Sequence, residues 1–248
     1  MDLKLSGKRA AVAAASKGLG FGTAAALAAE GVRVAICGRD KAAVDDAVSR
    51  LGPNAVGLVA DVSTAEGSTA FVSAAADALG GALDILVCNG GGPPPGTFAS
   101  TPFESYAPAL ERSLLSVVAM CQAAVPAMRS NRWGRVVAIT SISVRQPIAT
   151  LMLSNTARAG VTGFLKTLAT EVAADGVTIN SLQPGSHATD RIKQISPNLA
   201  AAAAAVPTGV LGDPADFGAF AAFLCSDQAK FVTGSHILVD GGAYQGLL

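Results

Sequence analysis

The sequence predicts a doubly wound α/β fold, a seven-stranded parallel sheet flanked by helices, in a single domain over residues 1–248. Three observations predict it. Short β-branched runs alternate with longer Ala/Leu-rich stretches carrying apolar residues at helical spacing. Several of the short runs are apolar almost throughout, as parallel strands covered on both faces require. A glycine cluster stands directly between the first such run and the first helical stretch.

In chain order, strands are expected at 9–14, 32–37, 54–59, 84–88, 135–141, 177–182 and 235–239. Helices are expected at 20–30, 41–51, 64–79, 103–129, 154–174 and 214–225. These elements use the chain without a linker. Two segments break the rhythm: the Gly/Pro loop 90–96, and the connection 186–206 with Pro197 and the alanine run 200–205. Connections of such length are usually functional. Both follow carboxyl ends of strands, where open α/β sheets bind ligands, so they are expected to wall one cleft, with 186–206 as a substrate-loop lid.

Half the residues are hydrophobic and 15% are charged, enough apolar material for a sizeable core and too much for disorder. Lys+Arg 18 against Asp+Glu 18 gives a formal net charge of +0, without the basic footprint of a nucleic-acid binder or a run aimed at anionic membranes. Lys17, Glu30 and Pro126 interrupt or bound the best apolar stretches, so no membrane span is expected, and the N-terminus lacks the apolar core of a signal peptide. Cys37, Cys88, Cys121 and Cys225 lie far apart with no CxxC pair, as buried thiols of a cytoplasmic protein would, and no metal site is expected.

After the first strand, Ala14-Ala15-Ser16-Lys17-Gly18-Leu19-Gly20-Phe21-Gly22 runs straight into a helix. Glycines there let the backbone approach a pyrophosphate, whose charge meets the helix's free N–H groups. At the end of the second strand, Cys37-Gly38-Arg39 has no carboxylate to accept a ribose 2′-hydroxyl, whereas Lys17 and Arg39 would partner a 2′-phosphate. NADP(H) is therefore favoured over NAD(H).

These residues resemble the short-chain dehydrogenase/reductase family over essentially the whole chain. The family's Thr-Gly-x3-Gly-x-Gly reads here Ala13-Ala14-x3-Gly18-Leu19-Gly20. Asp61-Val62 resembles the adenine-contacting pair, and Cys88-Asn89-Gly90-Gly91 the Asn-Asn-Ala-Gly motif beside the ribose. Pro184-Gly185 and Asp240-Gly241-Gly242 match later motifs, and Thr189 stands where a hydroxyl meets the nicotinamide carboxamide or the pyrophosphate. The resemblance implies a Rossmann-type fold, a nicotinamide coenzyme, a small carbonyl or alcohol substrate, and a homo-oligomer, a tetramer or dimer, through the fourth and fifth helices.

The family's Asn, Ser, Tyr and Lys align with Ser113, Ser141, Ser154 and Arg158, so only the serine at 141 is kept. This pattern is similar to an atypical, 3-oxoacyl-acyl-carrier-protein-reductase-like branch lacking the usual Tyr and Lys. A serine hydroxyl is a far weaker acid than a phenol. Arg158 can grip ribose hydroxyls or an anion but stays protonated. The proton is expected from His187, or from a water held by Ser141 and Ser154. Arg145 and Arg191 are candidate carboxylate partners. Two other readings stay open: a catalytically silent dinucleotide-binding protein, and a halohydrin-dehalogenase-like lyase, which Arg158 suits and the retained Gly18, Gly20 and Asp61 do not.

Overall fold

A computed structural model describes residues 1–196 and 198–247. Pro197 and Leu248 lie outside the described residues. Seven strands, β1 (Arg9–Val12), β2 (Arg33–Gly38), β3 (Ala55–Val59), β4 (Ile85–Cys88), β5 (Gly134–Ile139), β6 (Val177–Pro184) and β7 (His236–Val239), form one sheet in the order β3-β2-β1-β4-β5-β6-β7. All pairings are parallel; Ala10, for example, lies between Val34 and Ile85. The expected doubly wound fold is therefore the observed one. Strand order reverses between β1 and β4, which leaves a crevice at their carboxyl ends.

Burial follows position in the sheet. The central strands β4 and β5 are buried throughout, while the edge strand β7 is half-exposed along its length. One core layer joins Phe71, Met120 and Leu165 to one face of the sheet; the other joins Leu27, Ile36 and Phe217 to the opposite face. All four cysteines are buried and unpaired.

The helices are α1 (Gly18–Ala29), α2 (Lys41–Leu51), α3 (Ala65–Ala78), α4 (Tyr106–Leu110), α5 (Ser116–Ser130), α6 (Met152–Val172), α7 (Asp190–Ile195), α8 (Leu199–Ala204) and α9 (Pro214–Cys225). Asp40, Thr64, Asn198 and Asp213 cap α2, α3, α8 and α9 by accepting from the backbone N–H of Ala43, Gly67, Ala201 and Ala215. By contrast, α1 opens on Lys17 with no side-chain cap. It crosses α9 where both backbones are bare: a Cβ on Gly22 would stand 2.0 Å from the Pro214 carbonyl oxygen.

Three expectations need correction. The helix expected at 103–129 is compound: a 3₁₀ turn (Phe103–Ser105), α4, a π turn (Glu111–Leu115) and α5. The Ser116 hydroxyl donates to the Arg112 carbonyl across the widened turn at 2.7 Å. By length and composition only, Phe103–Ser130 is apolar enough to cross a membrane, but it carries Glu111 and Arg112, and 44% of its 18-residue apolar window is buried, as in a core helix. The first and fifth strands end earlier than expected, because Ala14 turns into the left-handed region (φ +47°) and Ser141 begins a 3₁₀ turn by accepting from the Ser143 N–H.

Candidate active site

A cleft of about 630 Å³ runs across the carboxyl ends of the strands. At its closed end the chain leaves β1 through Ala13 and Ala14, whose carbonyls both accept from Asn89 Nδ2 at 3.1 Å. Asn89 thus ties the loop after β4 to the loop after β1. A Cβ on Gly20 would come within 2.6 Å of that Nδ2 and 2.8 Å of the Ala14 oxygen. Gly20, expected in the cleft wall, lies beneath it: its role is to let Asn89 approach. Gly18 (φ +62°) is on the wall, where a Cβ would stand 3.6 Å from the Thr189 methyl.

Ser16, Lys17, Leu19, Arg39, Asp61 and Val62 line this end, as expected. Lys17 reaches across to Asp190 at the start of α7, 3.2 Å away. Burial alone would raise the Asp61 carboxyl, but hydrogen bonds from Ser63 and the Arg39 and Arg112 charges outweigh it and hold the group below the usual carboxylate range. Arg112 was not singled out from the sequence. It sits inside the π turn, and a helical repeat read at 3.6 residues per turn gives no sign of that turn.

At the other end, Ser141 and Thr140 come from the end of β5, while Ser154 and Arg158, one turn apart on α6, face the same space. Ser154 is buried; Arg158 Nη1 donates to the Ile139 carbonyl at 3.1 Å. Burial, and then the Arg191 charge, push the Arg158 guanidinium down to about 10, which leaves it cationic at neutral pH. Ser113 is the second correction here. It does not line the cleft but a small cavity of about 20 Å³ behind it, shared with Asn89 and Arg158, where its hydroxyl is buried without a partner.

The remaining wall comes from the two irregular segments. Gly90 and Gly91 line it, and the loop is clamped to the start of α6 by Gly96 N–H to Thr150 O and Met152 N–H to Gly96 O. Pro184, Gly185, His187, Thr189 and Arg191 line it from the far side. The His187 ring is committed elsewhere. Its Nδ1 lies 3.2 Å from the Gly185 carbonyl, which can only accept, and its face meets Phe217 edge-on at 5.3 Å. Its Nε2 edge is packed over Gly212, where a Cβ would stand 2.7 Å away. Burial lowers its pKa, with the Gly185 carbonyl and Asp213 offsetting part of the effect, so the ring is neutral at pH 7. Arg145 is outside the cleft, donating to the His236 carbonyl at 2.8 Å.

An open parallel α/β sheet with its cleft at the strand-order reversal and a glycine turn after β1 defines the Rossmann-type class. Within that class, a family model described as enoyl-(acyl carrier protein) reductase matches residues 13–244. The chain belongs to this family, the short-chain dehydrogenases/reductases. It is similar to the 3-oxoacyl-(acyl-carrier-protein) reductase FabG of Vibrio cholerae, 34% identical over 98% of this chain and 99% of the relative. Dehydrogenase/reductase SDR family member 4 of Oryctolagus cuniculus is 32% identical, over 96% and 94%. Among solved structures, L-sorbose reductase of Gluconobacter frateurii, complexed with NADPH and L-sorbose, superposes with a TM-score of 0.92 at 29% identity over 100% of both chains. A 7α-hydroxysteroid dehydrogenase complexed with NADH superposes at 0.91 and 28% identity, over 100% of this chain and 98% of the other.

Proposed function

We propose that this chain is an oxidoreductase that interconverts a small-molecule carbonyl and its alcohol with NADP(H), favoured over NAD(H). The observation that carries the reading is continuity: one cleft joins the glycine turn at Gly18 to Ser141, Ser154 and Arg158. A dinucleotide suits that cleft. The first turn of α1 lacks a side-chain cap, so its N–H groups are open to a pyrophosphate, and Gly90 and Gly91 have no atom within 4 Å of a would-be Cβ. When bound, the coenzyme supplies the hydride.

Lys17 and Arg39 would partner a 2′-phosphate, and the nearest carboxylate in the chain, Asp40, is turned to its own helix as a cap. Asp61 and Val62 would flank the adenine, Asn89 to Gly91 the ribose, and Pro184, Gly185 and Thr189 the nicotinamide half. Arg158 would hold the nicotinamide ribose hydroxyls or an anion beside them. Ser141 keeps its O–H for the substrate carbonyl, since its oxygen already accepts from Ser143. Ser154 replaces the phenol that this family places on the first turn of that helix, so the branch is a degenerate one. Its hydroxyl is shorter than the phenol by a whole ring, so a water must span the gap to the substrate oxygen. With Ser141 it holds a water that delivers the proton; solvent reprotonates the hydroxide left behind, and Arg158 stabilises the charge at both stages. The cavity by Ser113 has room for one further water between that hydroxyl and Arg158. Residues 186–196 and 198–206 would serve as the lid.

The test has two parts. NADPH binding is measured by fluorescence titration, and turnover by deuterium transfer from 4-deuterated NADPH to a carbonyl panel. Ser154→Ala is expected to lower kcat/KM by about tenfold or more with coenzyme affinity unchanged, and His187→Gln to leave the pH–rate profile in place. Absence of NADPH binding overturns the reading, while binding without transfer to any carbonyl turns it into that of a silent dinucleotide-binding protein.

A further inference from the structure

Two guanidinium groups line one cleft, and among the described residues neither has a carboxylate as a hydrogen-bond or ion-pair partner. Arg158 rises from α6 and Arg191 descends from the first turn of α7, and both line the same space. Among the described residues, Arg158 has the Ile139 carbonyl as its only hydrogen-bond partner, and Arg191 has the Pro93 carbonyl (3.2 Å) and Gln194 Oε1 (3.4 Å). Asp190, the neighbouring acid, is committed to Lys17 and Lys193 at 3.2 and 3.3 Å. Elsewhere on the molecule, arginines such as Arg129 and Arg132 do have acids, meeting at Asp175.

Two like charges partly withdrawn from water cost free energy unless an anion joins them. The pair is also held in place. The Arg191 guanidinium passes over Gly92, where a Cβ would stand 3.3 Å from Nη2 and 3.6 Å from Cζ, so a side chain at 92 would press it aside by a few tenths of an ångström. Its bond to Pro93 ties the lid to the Gly/Pro loop. The same cleft also presents apolar side chains from Ile148, Leu151 and Ile192.

Resting on the oxidoreductase reading above, we propose that Arg158 and Arg191 form an anion subsite for the substrate's own carboxylate, so that the substrate class is an aliphatic oxo acid and its hydroxy acid. The bidentate geometry of each guanidinium matches a carboxylate, and the apolar wall matches the hydrocarbon between carboxylate and carbonyl. The same chemistry could be met by the coenzyme's pyrophosphate, and the test separates the two sources.

The probes are 3-oxobutanoate, 4-oxopentanoate and 5-oxohexanoate, each against its methyl ester. They are titrated calorimetrically into the free protein and into protein saturated with NADP⁺, which cannot reduce them. At least one carboxylate is expected to bind about tenfold more tightly than its ester. The preference should vanish in Arg191→Gln, fade with added salt and shrink in Gly92→Ala, which keeps both charges but moves Arg191. NADP⁺ affinity should stay within about twofold in Arg191→Gln. Equal binding of every carboxylate and ester, or a preference that survives in both variants, overturns the proposal. So does a loss in Arg191→Gln that falls on NADP⁺ while the carboxylate preference stays, since the anion is then the pyrophosphate. If NADP⁺ fails to bind wild type, the coenzyme reading falls alone, and the free-protein titration still decides the subsite: a carboxylate preference lost in Arg191→Gln retains it, and no preference removes it.

Discussion

Ala14 sits at φ +47°, in the left-handed region where a Cβ crowds the following carbonyl and glycine is at ease. Both neighbouring carbonyls are held by Asn89, so the strain is locked in by tertiary contacts. Ala14→Gly is expected to relieve about 1 kcal/mol of strain, offset in part by unfolded-chain entropy. The net effect should be a Tm higher by about 1–3 °C; a lower Tm would place the strain elsewhere. The histidines act in the opposite sense. Burial lowers the pKa of both His187 and His236 below the ordinary 6.5, with Lys166 and Arg145 adding to the shift at His236. Stability from two neutral imidazoles is then present above pH 6.5 and lost as pH falls below it, where the unfolded chain takes up protons first. Tm should drop between pH 7 and 5, and His187→Gln should flatten that drop in a thermal melt.

At the scale of elements, the closest approach is that of α1 to α9, built on two glycines. A Cβ on Gly218 would lie 2.1 Å from the Gly22 carbonyl oxygen, a backbone atom that cannot move without the helix. Gly218→Ala should cost about 1–3 kcal/mol and lower Tm by several degrees. Since α1 carries the glycine turn at its N-terminus, the same variant should also weaken NADPH binding in the fluorescence titration. The compound helix from Phe103 to Ser130 shows the limit of periodicity. Its apolar pattern was legible as one helix, but the π turn that brings Arg112 to the cleft and Ser113 to the cavity behind it depends on neighbouring packing, which no 3.6-residue repeat encodes. The oligomer that the resemblance implies belongs here too: Leu115 in the π turn and Phe164 and Leu168 on α6 stay at least partly exposed, and sedimentation would test whether they are covered by a second copy.

Across the whole molecule, formal charges cancel, yet the cleft is lined by Lys17, Arg39, Arg112, Arg158 and Arg191 against Asp61 and Asp190. Low-dielectric walls concentrate such a field on an incoming anion. If the 2′-phosphate meets Arg39, Arg39→Ala should weaken NADPH by about tenfold and NADH by less than about twofold, and rising salt should narrow the gap between the two in wild type. Equal losses for both coenzymes would place the 2′-phosphate away from Arg39.

Alternating apolar runs and amphipathic stretches, with a glycine turn at the first junction, were sufficient for the doubly wound sheet, because strand burial and helix amphipathicity are local patterns in the chain. Most of the cleft was legible for a related reason: residues just past the carboxyl ends of parallel strands converge whatever their identity. What the chain alone left open was orientation. That Gly20 supports and does not line, that Ser113 stands one layer back, that the His187 ring turns its Nδ1 to Gly185 and packs over Gly212, and that Arg158 and Arg191 share a cleft with no acid as partner are all facts of placement. Direction is set by contacts between segments that the chain itself keeps apart, such as Gly20 with Asn89, and such contacts exist only once the chain has packed.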